Sequence, residues 1–385
     1  MSVLFSDQQH RVSNVELFFD LVFVFAFTQV TTLWLEEPTW AGLGRGLLVL
    51  AALWWIWAGC AWLTNAADAE AGFVSTALLS MTAGLFVAAL AVPEAFTRER
   101  TVFGVAFFAV VVSFVWLYAV VSRSAPELFA AVRRTAWITL PGAAFILAAA
   151  FVPASVRPAL WAVALIIGFG GPALVGSSGW RVEPEHFAER HGLIVIIAIG
   201  ESLGAIGFGA RGTRLGGDVI VATLLGLLVA VSFWLAYFDF ASSGLRDLLV
   251  RRQGLERATI ARDVYTYLHL PMVAGIVLFA FGMRSVLRSV NADLRWVPAV
   301  ALCCGCALYV LAFVAIRWRV ARQLGRGRPI AGLVLALLTL AATHVHALVA
   351  LALVCAVLIG LHAYELIHWR DERARRRAHV TADAG

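Results

Sequence analysis

The sequence predicts an all-α membrane protein: a polytopic bundle of about twelve transmembrane helices, arranged as two six-helix pseudo-repeats. Three observations predict this class. Hydrophobic residues make up 61% of the 385 residues and charged residues only 14%, against roughly 45–50% and about 25% in soluble domains. Apolar stretches of helix-spanning length recur along the whole chain, and two of them in the first half share sequence with two in the second half.

Each apolar stretch long enough to cross a hydrocarbon core about 30 Å thick, which takes about 20 residues of helix, predicts one transmembrane helix. The stretch from 329 to 366 is too long for one span, and His344-Val345-His346 is its natural break. The predicted spans are 15–35, 46–64, 72–92, 101–122, 135–152, 158–176, 192–212, 218–240, 264–284, 296–316, 329–343 and 346–366.

The distribution of arginine predicts the topology. The chain has no lysine, and with twelve helices and a cytoplasmic N-terminus most of its 30 basic residues fall on the cytoplasmic side. This excess is what the positive-inside rule describes, and an odd number of helices would weaken it. We therefore expect a multi-pass protein of the cell membrane with both termini cytoplasmic. The same loop arginines are explained by topology alone and do not predict a nucleic-acid partner. The expected terminal segments are 1–14 and a basic, disordered tail at 369–385.

Two sequence matches suggest an internal duplication. "LLVLAALWWIWAG" (47–59) aligns with "LLGLLVAVSFWLA" (224–236), and "MTAGLFVAALA" (81–91) aligns with "MVAGIVLFAFG" (272–282). Because six helices form an even number, both halves would enter the membrane in the same direction, related by an axis along the membrane normal. A binding site is then expected between the halves. The predicted repeats are 15–176 and 177–368.

Five ionisable residues of the predicted spans are candidates for a site, since such groups within a membrane usually face the bundle interior and mark a functional path. Glu16 and Asp20 share one face of the first helix, since they are four residues apart. Glu201 lies about ten residues into the seventh helix, Asp239 ends the eighth and His269 begins the ninth. We expect these side chains to line one polar cavity open to the cytoplasm. Each also has a simpler interpretation as an interfacial or hydrogen-bonding residue, which is least satisfactory for Glu201.

Two histidine-containing groups near the C-terminus allow a metal interpretation. His362, Glu365 and His368 are spaced i, i+3, i+6, and the Glu-x-x-His step occurs in di-metal helix bundles. Their position at a cytoplasmic helix end favours an interfacial belt instead, and His344 and His346 are expected in an outer turn. The five cysteines lie in apolar stretches, where a buried cysteine behaves as a small hydrophobe, so we expect no metal and no cofactor.

Four stretches resemble the bacterial low temperature requirement A family of membrane proteins: "VELFFDLVFVFAFTQVT", "PEAF", "ERHGLIVIIAIGES" and "YTYLHLPMVAGI". The resemblance extends over about 12–368, and it implies Arg190 as a further site residue. It supplies no substrate. The positions that match the family pattern are Glu16, Asp20, Glu189, Arg190, Glu201, Asp239 and His269.

The predicted function is that of a secondary transporter or permease for a small solute or an ion such as the proton, with membrane lipids as its surroundings. A parallel repeat favours transport. The alternative is a membrane-embedded enzyme acting on a lipid or isoprenoid, in which the same residues would act as acids and bases. A sensory or scaffold protein without turnover is the third hypothesis. Paired acid motifs such as DDxxD, typical of metal-dependent enzymes, do not occur in the sequence.

Overall fold

The computed structural model describes residues 12–210 and 215–368, and within them the regular secondary structure is helical apart from one isolated bridge, between Asp293 and His346. Two π-helical turns, Leu235–Asp239 and Ala261–Tyr267, follow the eighth helix and precede the eleventh. The α-helices are α1 (Asn14–Glu36), α2 (Trp40–Thr64), α3 (Gly72–Leu90), α4 (Arg100–Val121), α5 (Pro126–Ala149), α6 (Arg157–Val175), α7 (Pro184–Gly209), α8 (Gly217–Trp234), α9 (Ser242–Arg251), α10 (Gly254–Ile260), α11 (His269–Arg288), α12 (Trp296–Ala321), α13 (Gly327–Ala342) and α14 (Ala347–His368).

The predicted helical bundle is confirmed. Twelve of these helices correspond in order to the twelve predicted spans. The short helices α9 and α10 are additional and lie between α8 and α11, which correspond to the eighth and ninth predicted spans. The break between the last two spans also lies where expected, because α13 ends at Ala342 and α14 begins at Ala347. The predicted tail at 369–385 and most of the segment 1–14 lie outside the described residues.

The first and seventh helices run parallel and in register. Glu16 contacts His186, Asp20 contacts Arg190 and Thr31 contacts Glu201, and each pair is separated by 170 residues along the chain. A constant separation means that α1 and α7 rise together. Both helices therefore enter the membrane from the same side, as a six-helix repeat requires; the repeat itself stays a prediction.

This parallel arrangement bears on how many helices cross the membrane. Among the described residues, ten helical segments are long and apolar enough to span it, and α5 and α13 are not among them. Two parallel spans must be separated by an odd number of crossings. Since α2, α3, α4 and α6 supply only four, α5 has to supply the fifth, despite Arg133 and Arg134 near its start.

The short helix α13 also crosses the membrane, as the positions of its two ends show. It begins beside the end of α12, and the connection after it lies against the connection that precedes α12. Ala347 N–H donates to Ala292 O at 2.9 Å, and Leu348 N–H donates to Val290 O at 3.1 Å. α13 therefore returns over the full depth that α12 traverses.

Helix α11 occupies the centre of the second half and contacts α7 and α12 extensively. Small residues allow the close approach of α11 to α12, as is common between membrane helices. A Cβ atom on Gly275 would lie 2.6 Å from the carbonyl oxygen of Gly305, and one on Gly282 would lie 2.7 Å from Leu302 N. This packing fixes α11 against α12 and presents the opposite face of α11 to α1 and α7.

Candidate functional site

The two acids of the first helix bind one arginine of the seventh. Arg190 is completely buried, and its Nη1 lies 3.1 Å from Glu16 Oε1 while its Nη2 donates to Asp20 Oδ1 at 2.8 Å. Because Glu16 and Asp20 are one turn apart on the same face of α1, a single guanidinium on the parallel helix reaches both. We call Glu16, Asp20, His186 and Arg190 the charge cluster. Its four side chains are each at most 2% exposed.

Neighbouring groups fix the orientation of the charge cluster. Ser13 caps α1 in a capping box: its Oγ accepts from the Glu16 N–H at 3.3 Å, and its own N–H donates to Glu16 Oε2 at 2.9 Å. His186 Nε2 lies 3.1 Å from Glu16 Oε1, and its Nδ1 is 3.2 Å from the side-chain nitrogen of Asn65. Trp57 Nε1–H donates to Asp20 Oδ1 at 2.9 Å. α1, α2 and α7 are thus joined by polar contacts at this level.

A second polar layer lies farther along the same two helices. Glu201 is 2% exposed and accepts hydrogen bonds from the hydroxyls of Thr28 and Thr31, the latter at 2.9 Å. Arg284 of α11 donates to Thr31 Oγ1 at 3.0 Å and so reaches Glu201 through that hydroxyl. We call Glu201, Thr28, Thr31 and Arg284 the hydroxyl site.

The two threonine hydroxyls have alternative acceptors. Thr28 Oγ1 is also 3.0 Å from Val24 O, and Thr31 Oγ1 is 2.9 Å from Thr28 O. Each hydroxyl has a single proton. It can be given to the Glu201 carboxylate, or to the helix carbonyl while the hydroxyl oxygen accepts a hydrogen bond from a protonated Glu201. The site therefore satisfies the carboxyl group both with and without its proton.

An apolar layer separates the charge cluster from the hydroxyl site. Asp20 and Thr31 are eleven residues apart, about 16 Å along the helix axis at 1.5 Å per residue. Phe23 and Phe27 lie between them on the same face of α1 and are at most 1% exposed, and Ile194 of α7 is fully buried at the same level. The facing sides of α1 and α7 are therefore apolar at this level.

His269 lies beside the charge cluster in an aromatic layer. Its Nδ1 is 2.9 Å from Val264 O, and its Nε2 is 3.1 Å from the hydroxyl of Tyr237. Its ring stacks on Tyr265 at 5.0 Å and lies 5.2 Å from that of His191, the residue after Arg190. Tyr237 and Tyr265 both come from π-helical turns, which are frequent at functional sites.

Asp239 lies in another part of the bundle than the charge cluster and the hydroxyl site. It lines a cavity of about 700 Å³ between the α8–α9 connection and the ends of α12, α13 and α14. None of the other predicted site residues lines this cavity, so the expected single polar cavity is wrong. The spacing of residues along a helix gives the depth of a side chain, whereas the direction it faces depends on packing. Asp239 shares the end of the bundle with the charge cluster but faces a different group of helices.

The C-terminal residues have contacts of their own. Arg328 Nε donates to Glu365 Oε1 at 2.6 Å, and His362 Nε2 donates to Ser232 O at 3.0 Å. His368 stacks on Tyr364 at 4.3 Å. His346 is exposed in the connection between α13 and α14, as expected of an outer turn.

Sequence reasoning missed His186, Trp57, Thr28 and Arg284. His186 precedes Arg190 by four residues, the same spacing as Glu16 and Asp20, so two matching pairs on two parallel helices were a detectable signal. Arg284 gave no such signal, because it lies near the end of its helix, where arginine is ordinary.

The length and apolar character of the helices, with charges buried between the first and seventh, define a polytopic α-helical membrane protein. The chain belongs to the family described as bacterial low temperature requirement A protein, whose model matches residues 11–363. An uncharacterised protein of Rhizobium meliloti (strain 1021) is 32% identical over 296 residues, which cover 71% of this chain and 69% of the relative. No solved structure matches the chain.

Proposed function

We propose that the protein is a secondary transporter that couples movement of a small solute to the proton, with Glu201 as the residue that takes up and releases the proton. The observation that carries this proposal is the hydrogen bonding at the hydroxyl site. Glu201 lies mid-helix in a buried setting, and the Thr28 and Thr31 hydroxyls can serve it in either protonation state. An intramembrane carboxyl group of this kind is typical of proton relays in transporters.

The charge cluster then acts as the closed end of the transport path. It joins α1 to α7 through Arg190, and alternating access requires one part of such a protein to move against another around a fixed site. Opening this end would separate Arg190 from Glu16 or Asp20 and admit water. A solute or proton bound near Glu201 is expected to favour that rearrangement.

We place the charge cluster at the cytoplasmic end, with both termini in the cytoplasm, on the arginine distribution alone. A reporter enzyme active only in the periplasm, fused at the C-terminus, should be inactive. Activity of that fusion would reverse the orientation.

The transport proposal is tested in proteoliposomes that contain a trapped pH-sensitive dye. Pools of amino acids, sugars, nucleosides and organic cations are added in turn under an imposed pH gradient. We expect at least one pool to accelerate proton entry with the unmodified protein and no pool to do so with Glu201→Gln. Glu185→Gln is the matched control, since Glu185 is exposed on the first turn of the same helix. Equal proton entry with Glu201→Gln would remove the proposal.

An enzyme acting on a lipid or isoprenoid has less support. The apolar cavity that could hold such a chain, about 90 Å³, is lined by aromatic residues including Trp55, Phe114 and Trp180. No carboxylate is among its lining residues in the described part of the chain. The candidate acids and the apolar cavity therefore lie apart.

A further inference from the structure

The 700 Å³ cavity that contains Asp239 is unused by the transport proposal and has a composition of its own. It lies where α12 and α14 end and α13 begins, at the same end of the bundle as the charge cluster. A cavity of this volume can hold a small ligand or a lipid headgroup. Charged side chains come from several elements that meet there.

The charged lining has an excess of arginine. Arg317, Arg326 and Arg328 face the cavity, against two acids, Asp239 and Glu365. Arg328 and Glu365 form an ion pair with each other at 2.6 Å. Three arginines against two acids give the lining a formal charge of about +1, which one anion would neutralise.

The rest of the lining is apolar. Phe313 packs under the guanidinium of Arg328, whose Cζ is 4.4 Å from the ring centroid. Val320 and Leu324 line the cavity and remain 39% and 53% exposed, and Tyr364 is 36% exposed beside them. An inorganic anion would leave this apolar wall unused. A ligand with one negative charge and a hydrocarbon part matches both surfaces.

We propose that this cavity binds an anionic phospholipid, with its phosphodiester on Arg317 and Arg326 and its acyl chains against Phe313, Val314 and Ile316, which line the cavity and precede Arg317 on α12. The site lies where the membrane-spanning helices α12 and α14 end and α13 begins. Basic pockets between helices at this level are known to hold anionic lipid headgroups. The inference does not depend on transport or on Glu201.

The test is native mass spectrometry of the whole protein in detergent, titrated with phosphatidylglycerol. We expect bound phosphatidylglycerol that phosphatidylcholine does not replace, and about tenfold weaker binding in the double variant Arg317→Gln/Arg326→Gln. Arg251→Gln is the matched control, because Arg251 is an exposed arginine outside the cavity. It should bind phosphatidylglycerol like the unmodified protein.

A second variant should change the affinity for phosphatidylglycerol in the opposite direction. Asp239→Asn removes a negative charge from the cavity, so phosphatidylglycerol should bind more tightly, a gain that misfolding would not produce. Equal binding of phosphatidylglycerol and phosphatidylcholine, or binding unchanged in the double variant, would overturn the proposal. So would displacement of the lipid by millimolar inorganic phosphate, which would identify a site for the free anion instead.

Discussion

The charge cluster and the hydroxyl site lie between the same two helices, yet they treat their carboxylates differently. In the charge cluster a buried arginine pairs with Glu16 and Asp20 at 3.1 and 2.8 Å, and a histidine adds a further contact. At the hydroxyl site Glu201 is bonded by two threonine hydroxyls, and the nearest arginine acts through one of them. The charge cluster pairs its carboxylates directly with a cation, whereas the hydroxyl site holds its carboxylate by two hydroxyl donors with an arginine one hydroxyl away.

This difference separates a structural contribution from a functional one. Removing one member of a buried, mutually compensated set leaves an uncompensated charge, which is strongly destabilising. Removing the Glu201 carboxylate leaves only Arg284, which is half-buried and reaches Glu201 through a threonine hydroxyl, so the uncompensated charge is smaller. The two layers should therefore respond in opposite ways: the charge cluster mainly through stability, and the hydroxyl site mainly through activity.

Arg190→Gln should give the largest loss of stability. It leaves Glu16 and Asp20 buried one turn apart with only His186 to compensate them, and we expect about 3–5 kcal/mol of lost unfolding free energy. The measurement is unfolding in mixed micelles followed by circular dichroism. Arg181→Gln, an exposed arginine before α7, is the control and should unfold like the unmodified protein.

A variant in which all three positions are uncharged tests the same explanation. Replacing all three charges together, as Glu16→Gln/Asp20→Asn/Arg190→Gln, should recover part of the stability that Arg190→Gln alone loses, because no unpaired charge remains. If the triple variant is less stable than the single one, the charge cluster acts through packing and hydrogen-bond geometry rather than through charge.

The sequence predicted the depth of the polar groups better than their partners. The i, i+4 spacing of Glu16 and Asp20 correctly indicated a shared face. Asp239 and His269 were expected to line one cavity with Asp20 and Glu201, but Asp239 lines a different cavity while His269 lies beside the charge cluster. The rotation of a helix about its own axis is decided by packing, here by contacts such as Gly275 with Gly305, which a single sequence does not reveal.

Asp20→Asn should have an intermediate effect. The asparagine oxygen can still accept from Trp57 and from Arg190, so the hydrogen-bond geometry is retained while one negative charge is lost. Since Arg190 keeps its ion pair with Glu16, we expect the free energy of unfolding to fall by about 1–3 kcal/mol, in the range for a hydrogen bond to a charged group. The measurement is the same unfolding titration. A loss as large as that of Arg190→Gln would mean that Glu16 contributes little to compensating Arg190.

Glu201→Gln should have the smallest effect on stability, less than about 1 kcal/mol. The amide oxygen can accept from one threonine hydroxyl, and the amide N–H₂ can donate to the other, whose proton then turns to its alternative acceptor, Val24 O or Thr28 O. Arg284 keeps its contact with Thr31. The unfolding titration should therefore nearly overlay that of the unmodified protein, while solute-dependent proton entry in proteoliposomes is lost. A destabilisation as large as that of Arg190→Gln would show that Glu201 carries a compensated charge, and the contrast between the two layers would disappear.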